Sequence, residues 1–158
     1  MELMKISNKG IELIKTFEGC KLFAYRDSVG VPTVGYGHTT NVRMGMAITQ
    51  AEAEKFLHDD LIPVESVLNA MGVNFTQNEF DALCSWIFNL GAGNFHSSTM
   101  KKYIVANKPD LDITDQMVKW HNAGGKPLLG LKKRRVAEAN MWLGREVYKV
   151  DGQGNIKR

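Results

Sequence analysis

The stretch of sequence that decides the fold reads FEGCKLFAYRDSVGVPTVGYGHT and covers residues 17–39. Aromatic, β-branched and polar residues alternate on both sides of a turn-forming Asp-Ser-Val-Gly segment at 27–30. This pattern predicts a small antiparallel hairpin or meander between residues 20 and 40. Because such a small sheet is not stable alone, we expect it to pack against a helix.

A helix is predicted directly before this stretch. Ser7 is a good N-cap residue, and Ile6 and Ile11 occupy the two positions of a hydrophobic staple. Gly19 is a natural helix stop, which leaves Glu18 in the last turn. The sequence therefore joins a helix end to the hairpin, with Glu18 at the junction.

After the hairpin, the pattern is helical to about residue 144. Two capping-box pairs, Thr49 with Glu52 and Thr76 with Glu79, begin helices, and the second pair opens the clearest apolar stripe of the chain. Pro63 either kinks the first of these helices or begins a new one. Shorter helices are expected at 98–106, 114–121 and 131–143, before a polar, partly ordered tail at 145–158.

These elements predict an α+β fold with two parts. We expect a small N-terminal antiparallel β-lobe at about 20–48, and a larger helical lobe built from 1–19 and about 64–144. A length of 158 residues and a mass of 17.7 kDa suit one domain over residues 1–158.

Composition excludes several classes of protein. The chain is 44% hydrophobic and 23% charged, which is too apolar for disorder. No apolar run is long enough to span a membrane, and the N-terminus has no signal-peptide or anchor core, so no membrane insertion is expected. A net charge of +3 permits an anionic polymer as partner but is too weak to indicate nucleic acid.

Cys20 and Cys84 are expected to be free thiols, as in a reducing compartment.

Three residues of the hairpin region have side chains suited to breaking a glycosidic bond. Such cleavage needs an acid that protonates the leaving oxygen and a carboxylate on the other side of the bond. Glu18, Asp27 and Thr33 follow one another at intervals of nine and six positions, and a helix end followed by a hairpin can turn both carboxyls toward one cleft. Taken alone, this pair does not distinguish a catalytic site from two solvated surface charges.

Local chemistry assigns a role to each of the three. The unpaired carbonyls at a helix end disfavour the charged form of Glu18, which suits a general acid. Asp27 lies in a turn rich in backbone N–H groups and should stay ionised, as a base or an electrostatic stabiliser. The Thr33 hydroxyl can hold a water molecule beside it.

Three separated motifs give the chain a family resemblance. The first is E-x8-D-x5-T at Glu18, Asp27 and Thr33, which overlaps the run T-x-G-x-G-H ending at His38. The second is TQNEFDALCSWIFNLGAGNF at 76–95, and the third is WHNAGGKPLLGLKKRRVAEANMWL at 120–143. Together they resemble the phage-type lysozymes, the endolysin muramidases of glycoside hydrolase family 24, over about residues 6–144.

The resemblance implies a two-lobed, lysozyme-like fold with the active site in the cleft between the lobes. It implies hydrolysis of the β-1,4 bond between N-acetylmuramic acid and N-acetylglucosamine of peptidoglycan, with Glu18 as general acid and with Asp27 and Thr33 positioning the water. An inverting mechanism and a bell-shaped pH profile are expected. No cofactor is implied, and we expect a monomer that accumulates in the host cytoplasm and reaches the periplasmic wall after a holin permeabilises the membrane.

Other interpretations remain open at this stage. A wall-binding module of the same fold would bind the sugars without cutting them. A nucleic-acid binder could use the basic run Lys132–Arg135, although a solvated helix face with Arg135 paired to Glu138 is favoured. His38 has either a structural hydrogen bond or a substrate contact. The remaining histidines lack the spacing of metal ligands, so no metal is expected.

Overall fold

The computed structural model describes residues 2–123 and 125–145. The α+β composition predicted from the sequence is confirmed, because helices make up most of this part of the chain and the strands form two small antiparallel sheets. The elements in chain order are α1 (Asn8–Glu18), β1 (Lys21–Arg26), β2 (Pro32–Gly35), α2 (Gln50–Asn69), α3 (Gln77–Leu90), α4 (Ala92–Ser97), α5 (Thr99–Val105), α6 (Asp110–Val118), β3 (Asn122–Ala123), β4 (Lys126–Pro127) and α7 (Leu129–Trp142).

The predicted hairpin is β1 and β2, which pair antiparallel with Tyr25 opposite Thr33. The register shifts between Tyr25 and Lys21, which marks a bulge in β1. A third segment extends the sheet into a meander, since Ala24 N–H donates to the Met46 carbonyl at 2.9 Å and Ile48 N–H donates to the Leu22 carbonyl at 2.9 Å. This lobe packs against α2, which supplies the helix that the small sheet needs.

The core lies around α3. Every residue from Phe80 to Ile87 is buried, although only one face of this helix is apolar in sequence. The helix is surrounded because α1, α2 and α7 pack against it from different sides. Two polar residues within it, Asp81 and Ser85, are consequently buried and must bond to neighbouring helices.

The start of α1 differs from the expectation. Ser7 is the N-cap residue by position, but its side chain makes no capping bond within the helix. Asp81 of α3 takes its place: Ser7 N–H donates to Asp81 Oδ1 at 2.9 Å, and the Ser7 hydroxyl donates to Asp81 Oδ2. A Cβ at Gly10 would lie 2.9 Å from the Asp81 side chain, so α1 approaches α3 as closely as glycine allows. The N-terminus of α1 is therefore anchored to the core through Asp81.

Several predicted boundaries need correction. α6 begins at Asp110 rather than at 114, and residues 92–97 form α4, for which no helix was predicted. α2 runs through Pro63 without ending, so of the two alternatives the one in which Pro63 begins a new helix is excluded. The short β3–β4 hairpin was not predicted. Most of the expected tail, residues 146–158, lies outside the described residues.

Both cysteines are free thiols, as predicted. Cys20 is exposed at the start of the β-lobe, whereas Cys84 is buried in α3, and burial raises the pKa of the Cys84 thiol far above its ordinary value. In the part of the chain that the structure describes, no helix combines the length and the apolar character needed to cross a membrane.

Candidate active site

Glu18 is the last residue of α1, and its carboxyl group is held from two sides. Arg134 of α7 donates from Nη1 to Glu18 Oε2 at 2.5 Å. On the other side, a Cβ at position 37 would lie 3.0 Å from Glu18 Oε1, and Gly37 also has a φ of +80° that favours glycine. The side chain retains 20% of its exposure, so the carboxyl group is fixed but still reaches solvent.

Arg134 was not predicted as a site residue, and the expectation of a solvated basic face is wrong at this position. Arg134 and Arg135 are only 3% and 0% exposed. The predicted pair of Arg135 with Glu138 does form, with 2.7 Å between Arg135 Nε and Glu138 Oε1, but it is buried. These charges lie inside the protein because α7 packs against α3, and the Glu138 carboxylate pairs with both arginines.

Two electrostatic effects act on Glu18 in opposite directions. The helix-end carbonyls of α1 disfavour its charged form, as the sequence indicated. The Arg134 guanidinium, in direct contact, favours the charged form. The sequence argument was therefore incomplete, because it could not include a cation 116 positions away.

Asp27 closes the turn between β1 and β2. Its Oδ1 accepts hydrogen bonds from the backbone N–H groups of Val29 and Val31, both at 2.9 Å. Both bonds fall on the same oxygen, so neither uses Oδ2. The turn is as rich in backbone donors as the sequence suggested, and such donors favour the ionised carboxylate.

Thr33 lies on β2 and is 3% exposed. Its hydroxyl donates to the carbonyl oxygen of Val31 at 2.8 Å. Val31 therefore links the two polar side chains, because its N–H bonds to Asp27 and its carbonyl accepts from Thr33. The hydroxyl has used its only hydrogen, so it can serve any further partner only as an acceptor.

Tyr25 connects the two carboxyl groups electrostatically, and sequence reasoning missed it. Burial is the main cause that raises the pKa of Tyr25, followed by the negative charges of Glu18 and Asp27. The phenol therefore lies within electrostatic reach of both carboxyls. It lies opposite Thr33 in the β1–β2 register, which the sequence pattern alone did not give.

His38 is held by structural contacts. Its Nδ1 lies 2.8 Å from Asp60 Oδ2, and its ring stacks on Phe56 with centroids 4.1 Å apart. These contacts fit the hydrogen-bonding alternative for this residue. Among the described residues, no group of three or more His, Cys, Asp or Glu side chains is arranged to hold a metal ion.

A cleft of about 460 Å³ opens beside Glu18. Its lining includes Gly37 and Thr39 of the β-lobe, Phe88 and Asn89 at the end of α3, and Asp60 with its neighbours on α2. Asp27 and Thr33 are not part of this lining. Asp27 and Glu18 both interact electrostatically with Tyr25.

Comparison with solved structures identifies the class of protein. The muramidase domain of SpmX from Asticaccaulis excentricus superimposes with a TM-score of 0.82 at 34% identity, over 88% of this chain and 97% of that domain. A mutant of P22 lysozyme superimposes with a TM-score of 0.79 at 37% identity, over 89% of this chain and 99% of that one. With its two lobes and cleft, the chain is a glycoside hydrolase of the lysozyme class.

Sequence comparison identifies the family. The family described as phage lysozyme matches residues 15–138. The endolysin of Acyrthosiphon pisum secondary endosymbiont phage 1 is 45% identical over 141 residues, which cover 85% of this chain and 95% of that protein. The chain belongs to the phage lysozyme family, and the resemblance predicted from three motifs is confirmed.

Proposed function

We propose that this chain is an endolysin that hydrolyses the β-1,4 bond between N-acetylmuramic acid and N-acetylglucosamine in peptidoglycan. The observation that carries the proposal is the Glu18 carboxyl group, which is fixed by Arg134 and Gly37 at the wall of an open cleft. An acid that must meet one particular oxygen atom needs this fixed orientation. Glu18 is the general acid, and Asp27 with Thr33 positions the attacking water.

The contacts of Glu18 indicate which of its oxygens carries the proton. Arg134 has only donors, so Oε2, which it contacts, must be an acceptor. The acid form therefore bears its proton on Oε1, the oxygen beside Gly37. After the proton has passed to the leaving sugar, the new carboxylate is stabilised by the guanidinium already in contact with it.

The hydrogen bonds of the turn leave acceptors on Asp27 and Thr33 that support the proposed role in binding one water molecule. Oδ1 of Asp27 is occupied by two backbone donors, which leaves Oδ2 to accept from water. The Thr33 hydroxyl donates to Val31 and can accept the other hydrogen of the same water. A water that gives both hydrogens away directs a lone pair outward, which is the orientation that a nucleophile needs.

The wider role of the enzyme follows from the same proposal. It acts as a monomeric single domain without a cofactor, does not insert into the membrane, and waits in the host cytoplasm until a holin opens the way to the periplasmic wall. Nucleic acid is a poor partner, because two of the four cations in Lys132–Arg135 are buried. The expected result of its activity is lysis of the host cell.

Glu18→Gln tests the proposed acid. The amide keeps the shape of the side chain but has no proton to give, so turnover should fall by about 10²–10⁴-fold. The measurement is the release of reducing muramic acid ends from purified peptidoglycan, with Glu12→Gln as a matched control because Glu12 is exposed on the same helix. Normal release by Glu18→Gln would remove Glu18 from the acid role. Binding of the wild-type protein to the wall without release of ends would indicate a binding module instead.

A further inference from the structure

A buried ionic cluster on α7 lies behind Glu18. Arg134, Arg135 and Glu138 are 3%, 0% and 0% exposed. Oε2 of Glu138 accepts from the Ser85 hydroxyl at 2.5 Å, from Arg135 Nη2 at 3.1 Å and from Arg134 Nε at 3.4 Å. Burying ionised groups is costly unless they are paired, so an arrangement of this kind needs a reason beyond packing.

The charges of the cluster do not balance without Glu18. The cluster has two cations and one carboxylate, and Arg134 extends it to the Glu18 carboxyl. With Glu18 ionised the four groups are neutral, and with Glu18 protonated they hold one excess positive charge. A general acid must hold its proton until the substrate arrives, so the carboxylate of Glu138 opposes the effect of two nearby cations on that proton.

Glu138 also fixes the orientation of Arg134. The Arg134 Nε is directed at Glu138 and the Ser85 hydroxyl, both at 3.4 Å, and Nη2 donates to the Ser85 carbonyl at 3.2 Å. Because the guanidinium is planar, these contacts determine where Nη1 meets Glu18. The choice of Oε1 as the protonated oxygen therefore depends on a residue that does not contact Glu18.

Arg135 connects the cluster to the same cleft. Arg135 Nη2 donates to Asn89 Oδ1 at 2.8 Å, and Asn89 lines the cleft together with Glu18. This bond fixes the amide oxygen of Asn89 and leaves its NH₂ group as the donor for the cleft. One buried carboxylate thus holds both arginines, each of which orients a different cleft residue.

We propose that Glu138 is a positioning residue that keeps Glu18 in its proton-bearing, correctly oriented form through Arg134 and Arg135. The proposal rests on the acid role of Glu18 in the proposed function. Among the described residues, the charged and titratable groups near Glu18 are Tyr25 of the hairpin, which also interacts with Asp27, Asp60 of α2 with its partner His38, and Arg134, Arg135 and Glu138 of α7.

Two substitutions with opposite signs test the proposal. Glu138→Gln removes the negative charge, so Glu18 should lose its proton at a lower pH than in the wild type. Arg135→Met removes a positive charge that interacts with Glu18, so the proton should be lost at a higher pH. The chemical shift of the Glu18 carboxyl carbon is measured by NMR as a function of pH. In parallel, the lytic rate is measured as a function of pH to locate its fall on the alkaline side.

Asp81→Asn is the matched control, since Asp81 is also a fully buried carboxylate of the helical core but bonds to Ser7 and Gln77. It should lower stability without moving the Glu18 titration. Unchanged titration in folded Glu138→Gln and Arg135→Met, or shifts in the same direction, would overturn the proposal, and Arg135→Met alone decides if Glu138→Gln does not fold. The NMR titration does not require activity, so failure of the proposed function would appear separately, as a wild-type protein that releases no sugar ends.

Discussion

At Thr33, one hydroxyl group combines a structural bond with a proposed functional one. Its hydrogen goes to the Val31 carbonyl, and its lone pairs are free to accept from water. The residue is almost completely buried, so its methyl group also packs within the lobe. These two contributions can be separated, because valine keeps the shape of threonine and serine keeps its hydroxyl.

Thr33→Val should therefore reduce lytic activity by roughly 10–100-fold, because the water loses one of its two acceptors and its position becomes uncertain. The loss should be smaller than for Asp27→Ala, which removes the carboxylate itself. Thr33→Ser should keep most of the activity. Initial rates of turbidity loss with outer-membrane-stripped bacteria measure all three. If Thr33→Ser were as impaired as Thr33→Val, packing of the methyl group would explain the effect and the hydroxyl would have no role in catalysis.

The residues that the sequence identified are those within one short segment. Glu18, Asp27 and Thr33 lie within sixteen positions of one another, and local turn chemistry indicates how they fold together. Arg134 could not be found in this way, because its contact with Glu18 joins residues 116 positions apart. Four consecutive cations also favour a solvated face on general grounds, and only tertiary packing reverses that expectation.

At the scale of the helices, the sequence predicted which segments are helical better than where they end. α2 continues through Pro63 although the proline ring removes the N–H that would bond to the Asp59 carbonyl and crowds that carbonyl. Both residues are exposed, so water can satisfy that carbonyl and the helix need not break. The sequence alone does not distinguish a kink in α2 at Pro63 from a new helix that begins there. In contrast, the capping boxes at Thr49 and Thr76 have local causes, and both are confirmed.

The start of α1 depends on Asp81 more than on Ser7. Asp81 accepts from the Ser7 backbone, the Ser7 hydroxyl and the Gln77 amide, so replacing it removes three part-buried hydrogen bonds. We expect Asp81→Ala to lower the free energy of unfolding by about 2–4 kcal/mol, and Ser7→Ala by about 0.5–1.5 kcal/mol. Urea denaturation measures both. A loss for Ser7→Ala as large as that for Asp81→Ala would mean that the hydroxyl is the main cap after all.

At the scale of the whole molecule, the candidate site combines two distant parts of the chain, residues 18–33 and α7. α1 supplies Glu18, the hairpin supplies Asp27 and Thr33, and α7 supplies Arg134. The change in pattern near residue 20 predicted the two lobes, whereas the cleft between them was implied only by the family resemblance. The shape of that cleft depends on how α2 and α3 pack, which no local pattern encodes.

The arrangement of the two lobes determines the stereochemistry of the reaction, and this gives the last prediction. Retaining enzymes place the two carboxyl groups about 5–5.5 Å apart, whereas inverting enzymes leave about 6.5–9.5 Å for a water molecule. Asp27 uses Oδ1 within its own turn and has the Thr33 hydroxyl linked to it through Val31, an arrangement that suits a shared water and gives no advantage to a nucleophile. We therefore expect inversion without a covalent intermediate.

Two measurements test this expectation. NMR of freshly released muramyl product should show the α anomer first. Added methanol should yield no methyl glycoside, because transfer to an alcohol requires a glycosyl-enzyme. Initial release of the β anomer, or formation of the methyl glycoside, would instead make Asp27 a nucleophile and leave the Thr33 hydroxyl with only its structural bond to Val31.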